Sequence, residues 1–116
     1  MDKLTTEAEF RARTAAGDAL AIVVFKTTWC KDCHYIEPFM PELERQYAGR
    51  ATFLEADRDE LPELCEELRI LGIPSFIAFY KGQELVRFVN KLRKSREEIE
   101  QFVDRALEVA AALEQR

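Results

Sequence analysis

The segment Ala21-Ile22-Val23-Val24-Phe25 is apolar at every position and rich in β-branched residues. A strand with one wet face alternates, so an uninterrupted run belongs in the middle of a sheet, covered on both sides. Shortly after it stands Trp29-Cys30-Lys31-Asp32-Cys33, and from Cys33 onward Ile36, Phe39, Met40, Leu43 and Tyr47 recur at helical spacing. The chain must therefore hold two thiols between the end of a buried strand and the start of a helix. A helix N-terminus carries about half a positive elementary charge, which favours thiolate, the nucleophilic form of cysteine. Thiol-disulfide exchange is the chemistry this arrangement suggests.

The rest of the chain supplies layers for such a strand. Thr6 and Glu9 read as a capping box opening a helix through about Ala15, with Gly17 as its stop. Pro38 and Pro41 fall inside the helix that follows Cys33, where a proline removes a donor and clashes with the preceding turn; a kink near Pro38 with the helix continuing beyond it is expected. Ala51 to Ala56 forms a second strand candidate, followed by an acidic turn and a short helix carrying Leu61, Leu64, Cys65 and Leu68. Phe76 to Tyr80 reads as a third strand. Lys81-Gly82 has the length of a tight hairpin turn, and Leu85 to Val89 should return antiparallel as an edge. Ser95 and Glu98 form a second capping box before a long amphipathic helix through Ile99, Phe102, Val103, Ala106 and Val109. Alternating strands and helices imply right-handed crossovers and a sheet sandwiched by helices. With no repeat, linker or low-complexity stretch, residues 1–116 read as one domain.

Charge and cysteine usage narrow the partners. A net charge of −5 disfavours phosphate backbones and anionic membrane surfaces, which need clustered Lys and Arg. No apolar stretch approaches the ~20 residues that span a bilayer, and no signal peptide is visible behind the N-terminus. Three cysteines are too few, and odd in number, for a disulfide framework. These features together suit a monomer in the reducing cytosol, acting on neither nucleic acid nor membrane.

Taken with Gly72-Ile73-Pro74, the hairpin and the terminal helix, the strand and its WCxxC resemble the thioredoxin family over essentially the whole chain. The resemblance implies a three-layer α/β sandwich with a central mixed sheet of about four strands. It also implies residue roles. Cys30 matches the exposed attacking cysteine, Cys33 the partly buried resolving one, and Trp29 the tryptophan beside them. Pro74 matches the family's cis-proline, and the backbone of Ile73 the segment that pairs with substrate as a short added strand. Four positions depart from the pattern. Val24 stands in place of a buried aspartate and Phe53 in place of its lysine partner, while Lys31 and Asp32 replace the glycine and proline between the cysteines.

Within the motif, Lys31 should lower the Cys30 pKa and Asp32 oppose the thiolate as a like charge. Asp32 reads either as a proton shuttle to Cys33 or as an acidic first-turn residue stabilised by the helix dipole. His34 either faces solvent or tunes the thiols by its charge. It also completes a CxxCH pattern of haem attachment, which the absence of an export signal and the strand-helix setting argue against. Cys65 lies among leucines and reads as a small buried apolar residue rather than a ligand shared with Cys30, Cys33 and His34, so no metal and no cofactor are expected. The function expected is reduction of a disulfide-containing protein or small-thiol substrate, with an electron-donating reductase as a possible second partner. The competing reading is a non-enzymatic redox sensor or binding module of the same fold.

Overall fold

The structure, a computed structural model, describes residues 1–115. Its elements run β1 (Asp2–Leu4), α1 (Glu7–Ala15), β2 (Leu20–Lys26), α2 (Lys31–Ile36), a 3₁₀ turn (Glu37–Phe39), α3 (Met40–Gln46), β3 (Ala51–Asp57), α4 (Pro62–Glu67), β4 (Ser75–Tyr80), β5 (Gln83–Phe88) and α5 (Arg96–Glu114). The sheet order is β1-β3-β2-β4-β5. β2 pairs parallel with β3 and antiparallel with β4, so the apolar run lies at the centre, as its lack of alternation predicts. The sheet has five strands rather than four. The added strand, β1, pairs parallel with β3 through only three residues, too few for any periodicity to show.

Alternate residues of β2 feed two cores. Leu20, Ile22 and Val24 pack with Phe76, Ala78 and the apolar faces of α3 and α5, including Met40, Leu43, Ile99, Phe102 and Val103. Ala21, Val23 and Phe25 face Phe10, Leu61, Leu64 and Ile77 on the side of α1 and α4. At about 1.5–3 kcal/mol for each large apolar side chain taken out of water, this double burial stabilises β2 more than any edge strand.

Local signals are realised unevenly. Ser95 and Glu98 form the complete reciprocal box, Glu98 N donating to Ser95 Oγ at 3.2 Å and Ser95 N to Glu98 Oε1 at 3.0 Å. The Thr6 box closes on one side only. Glu9 N donates to Thr6 Oγ1 at 3.1 Å, while the Glu9 carboxylate accepts from Thr5 Oγ1 at 2.6 Å. At the prolines the helix does not merely bend: it breaks into α2 and α3 across the 3₁₀ turn containing Pro38, because Pro38 has no N–H for the α-helical ladder.

One contact fixes the loops at the C-terminal end of β2. Gly72 has no room for a side chain, since a Cβ there would lie 2.1 Å from the Asn90 carbonyl oxygen and 2.7 Å from Lys91 N. Because the obstructing atoms are backbone, Gly72→Ala should push segments 72–74 and 90–91 apart and destabilise the protein by about 1–3 kcal/mol, the usual cost of overpacking. Urea unfolding of the two proteins, compared at the midpoint, checks this.

Candidate active site

Cys30 is the N-cap of α2, in extended backbone conformation (φ −81°, ψ 118°), and its sulfur accepts a hydrogen bond from Cys33 N at 3.2 Å. The sulfur lies 3.9 Å from the Ile73 carbonyl oxygen, and the Ile73–Pro74 peptide is cis. Strand end, helix start and the segment leading into β4 thus converge on one thiol. Cys30, expected to be exposed, is buried, with 7% of its surface accessible and its sulfur lying against the Ile73 carbonyl and the first turn of α2. Cys33, expected to be partly buried, is fully buried.

Burial dominates the second thiol. Desolvation first, then the hydrogen bond with Cys30, pushes Cys33 up to about 12, while a backbone hydrogen bond from Thr27 and the charge of Lys26 act in the opposite direction. Val24 and Phe53 are both buried in apolar core, so neither supplies a charge. A cavity of about 150 Å³ beside Cys33 is lined by Val24, Lys26, Glu37 and Glu55. Across it Lys26 Nζ pairs with Glu55 Oε2 at 2.6 Å.

The neighbours within the motif have partners from distant parts of the chain. Arg93 Nε donates to Asp32 Oδ1 at 3.0 Å, and its guanidinium stacks 4.4 Å from the centre of the Tyr35 ring. Asp32 is therefore charge-balanced from outside the motif, which neither the shuttle nor the first-turn reading includes. The His34 ring is committed to the Thr28 carbonyl oxygen at 2.7 Å and to Glu37 at 3.3 Å. Those two contacts, the Thr28 bond first, raise its pKa, and neither sulfur is among its partners. Trp29 is 63% exposed and its Nε1 donates to Asp59 Oδ2 at 2.7 Å. Trp29, Cys30, Lys31, Asp32 and Ile73 line one groove, together with Arg58, Leu71, Gly72 and Lys91.

Sequence reasoning passes over Arg58, Lys91, Arg93 and Lys94. The last is fully buried, donating to Leu92 O at 2.6 Å and to Asn90 Oδ1 at 2.9 Å. Burial lowers its pKa. Nothing in a polar run such as Asn90-Lys91-Leu92-Arg93-Lys94 signals which lysine turns inward. Cys65 is a buried apolar-type residue on α4, as read, with its thiol pushed up to about 11 by desolvation. Among the described residues no group of three or more His, Cys, Asp or Glu is placed to hold a metal ion.

A dithiol at the end of the central strand of a five-stranded mixed sheet, facing a cis-proline segment, defines a thioredoxin-fold thiol-disulfide oxidoreductase. Comparison with known proteins agrees. The thioredoxin family model matches residues 2–105. Human thioredoxin is 39% identical over 77 residues, covering 66% of this chain and 72% of its own, and a Staphylococcus aureus thioredoxin is 34% identical over 84 residues, covering 72% and 79%. Thioredoxin of Plasmodium falciparum superposes with a TM-score of 0.78 at 26% identity, over 90% of this chain and 98% of that one. The chain belongs to the thioredoxin family.

The raised thiols predict an alkaline response. The ordinary value for both is 9.0, so above about pH 9 the unfolded chain loses protons that the folded chain keeps, and their contribution to stability falls as pH rises. Lys94, held low by burial, acts in the opposite sense over the range below its ordinary value of 10.5. Replacing Cys65 by Ala isolates one term: in reducing buffer, the urea midpoint of Cys65→Ala should fall less steeply between pH 8.5 and 10.5 (~2 pH units, spanning the ordinary thiol range) than that of wild type. Parallel pH profiles would contradict the assignment.

Proposed function

We propose that this protein reduces substrate disulfides in the cytosol, with Cys30 as nucleophile and Cys33 as resolving cysteine. The observation that carries the reading is the Cys33 N–H donated to the Cys30 sulfur at 3.2 Å. Such a bond, at the first turn of a helix, stabilises negative charge on that sulfur.

The Cys30 thiolate attacks one sulfur of the substrate disulfide, forming a Cys30–substrate bond and releasing the other sulfur as a thiolate. Cys33 then gives its proton to the thiolate released in the first step and attacks the Cys30 sulfur. The Cys30–Cys33 disulfide forms, the substrate leaves as its second thiolate, and two electrons have passed from the protein to the substrate. Burial of Cys33 keeps it protonated until the mixed disulfide is in place, so the resolving step waits for substrate. Lys26, whose charge favours the Cys33 thiolate, assists the second step. Ile73 offers its backbone, and Trp29 its exposed ring, to the incoming chain. The resulting disulfide is returned to dithiol by a reductase or by a low-molecular-weight thiol.

The cytosolic assignment rests on cysteine usage, three being too few and odd in number for a disulfide framework, and the reducing direction follows from that compartment. The protein acts as a monomer in this reading.

Turnover of insulin or a small disulfide with a recycling reductant tests the roles. Cys30→Ser should fall to the rate of the reductant alone, while Cys33→Ser should accumulate a covalent substrate adduct visible by mass spectrometry and released by added thiol. Full activity in Cys30→Ser would reassign the nucleophile. Absence of turnover in wild type would favour a redox sensor.

A further inference from the structure

The sheet topology arranges four chain segments in a row at one end. β2 and β3 are parallel, β4 runs against β2, and β5 against β4, so the C-terminal ends of β3, β2 and β5 and the N-terminal end of β4 lie together. In the order β3-β2-β4-β5 this edge presents Arg58, then Cys30, then Ile73, then Lys91. The two cations therefore flank the thiol and the cis-proline segment from opposite sides, while Lys31 follows Cys30 directly. All of these residues line the same groove, of about 410 Å³.

The cations there have no carboxylate partner, and Arg58 lies over the Trp29 ring, 5.9 Å from its centre. Among the described residues no carboxylate lies within ion-pair distance of Lys31, Arg58 or Lys91. Among the described residues Asp32 is the one carboxylate lining the groove, and it is paired with Arg93 at 3.0 Å. Asp59, beside Arg58, accepts from Trp29 Nε1 and keeps its negative charge, so the lining cations Lys31, Arg58 and Lys91 outnumber the unpaired carboxylate at their edge. On a chain of net charge −5, a locally cationic groove is a departure from the average surface. Both flanking cations also sit on anchored backbone. Arg58 N donates to Lys26 O at 2.9 Å, and Lys91 is packed on Gly72. The apolar contribution is local too: among the described residues the exposed large hydrophobic side chains are Trp29, Tyr35, Leu71 and Leu92, and Trp29 and Leu71 line the groove.

We propose that the groove selects polypeptide disulfides whose cystine is flanked on both sides by acidic side chains, with Arg58 and Lys91 as the specificity-determining cations. This rests on the oxidoreductase reading of Cys30. Adjacent strands lie about 4.8 Å apart, so three spacings from β3 to β5 span roughly 14 Å, the reach of about four residues of extended chain. One spacing separates Cys30 from Arg58 and two separate it from Lys91, so a segment laid along this end with its cysteine at Cys30 places its second residue on one side near Arg58 and its third on the other near Lys91. A compact small disulfide cannot reach both, which is why the occupant is a polypeptide. Complementary charge of this kind raises the rate of encounter and sets register.

The test uses short peptides whose central cysteine carries a chromogenic thiol in mixed disulfide, with Asp, Ser or Lys at the second position on one side and the third on the other, in both orientations. For the reduced wild-type protein the second-order rate should rank Asp, Ser, Lys, with about a tenfold spread at low ionic strength that narrows in salt. Moving the Asp pair outward to the fifth position on each side should abolish the advantage. Arg58→Glu with Lys91→Glu should invert the ranking, and Arg58→Gln or Lys91→Gln alone should halve it on a logarithmic scale. Equal rates for the three peptides, an Asp preference independent of spacing, an equal gain for a small carboxylate-bearing disulfide, or a ranking unchanged in the double variant would each overturn the proposal. If no peptide reacts, the oxidoreductase reading fails by itself. Binding of the same peptides, with Ser for Cys, to Cys30→Ser protein then decides the selectivity: a tighter Kd for the Asp peptide supports it and equal Kd values refute it.

Discussion

Burial of β2 on both faces is the constraint on which the rest of the molecule depends. A strand apolar at every position cannot face water on either side, so one core forms with α3 and α5 and another with α1 and α4. Its neighbours β3 and β4 satisfy its backbone hydrogen bonds on both edges. Once that strand is rigid, the point where it ends is rigid too, and Cys30 is held there. The Cys30 thiol inherits its position from hydrophobic burial.

The site itself is a balance between that burial and charge. A fully buried Cys33 loses the hydration its thiolate would need, which keeps it neutral, whereas Cys30 receives an N–H from the turn that follows it. Two thiols three residues apart are thereby made chemically unequal by their surroundings alone. Val24 and Phe53, where the family resemblance leads one to expect an aspartate and a lysine, join the apolar core. Charge instead enters at Lys26 and Glu55, two residues further along each strand, where the pair meets beside Cys33.

Legibility from the sequence tracked the range of the interaction responsible. The 95–98 capping box, the helical stripes and the hairpin depend on residues a few positions apart, and they formed. β1 leaves no sequence signal because three residues carry no period, and the break at Pro38 is indistinguishable in sequence from a kink because both follow from the same missing N–H. At the site, the cysteine pair and the cis-proline segment stood out by motif. Arg93 on Asp32 spans 61 positions, and Trp29 on Asp59 spans 30, so no local pattern foretells either.

By itself the sequence determined the α/β class, the central strand and the dithiol at its end, because periodicity, β-branching and the WCxxC spacing are properties of short contiguous stretches, and its motifs carried the resemblance to the thioredoxin family. Only the tertiary structure decided what surrounds the sulfurs: Lys94 turned inward, Asp32 neutralised, and Arg58 and Lys91 brought to opposite flanks of Cys30. Those are consequences of strand order, which places distant segments side by side at one end of the sheet, and strand order is settled by packing over the whole chain.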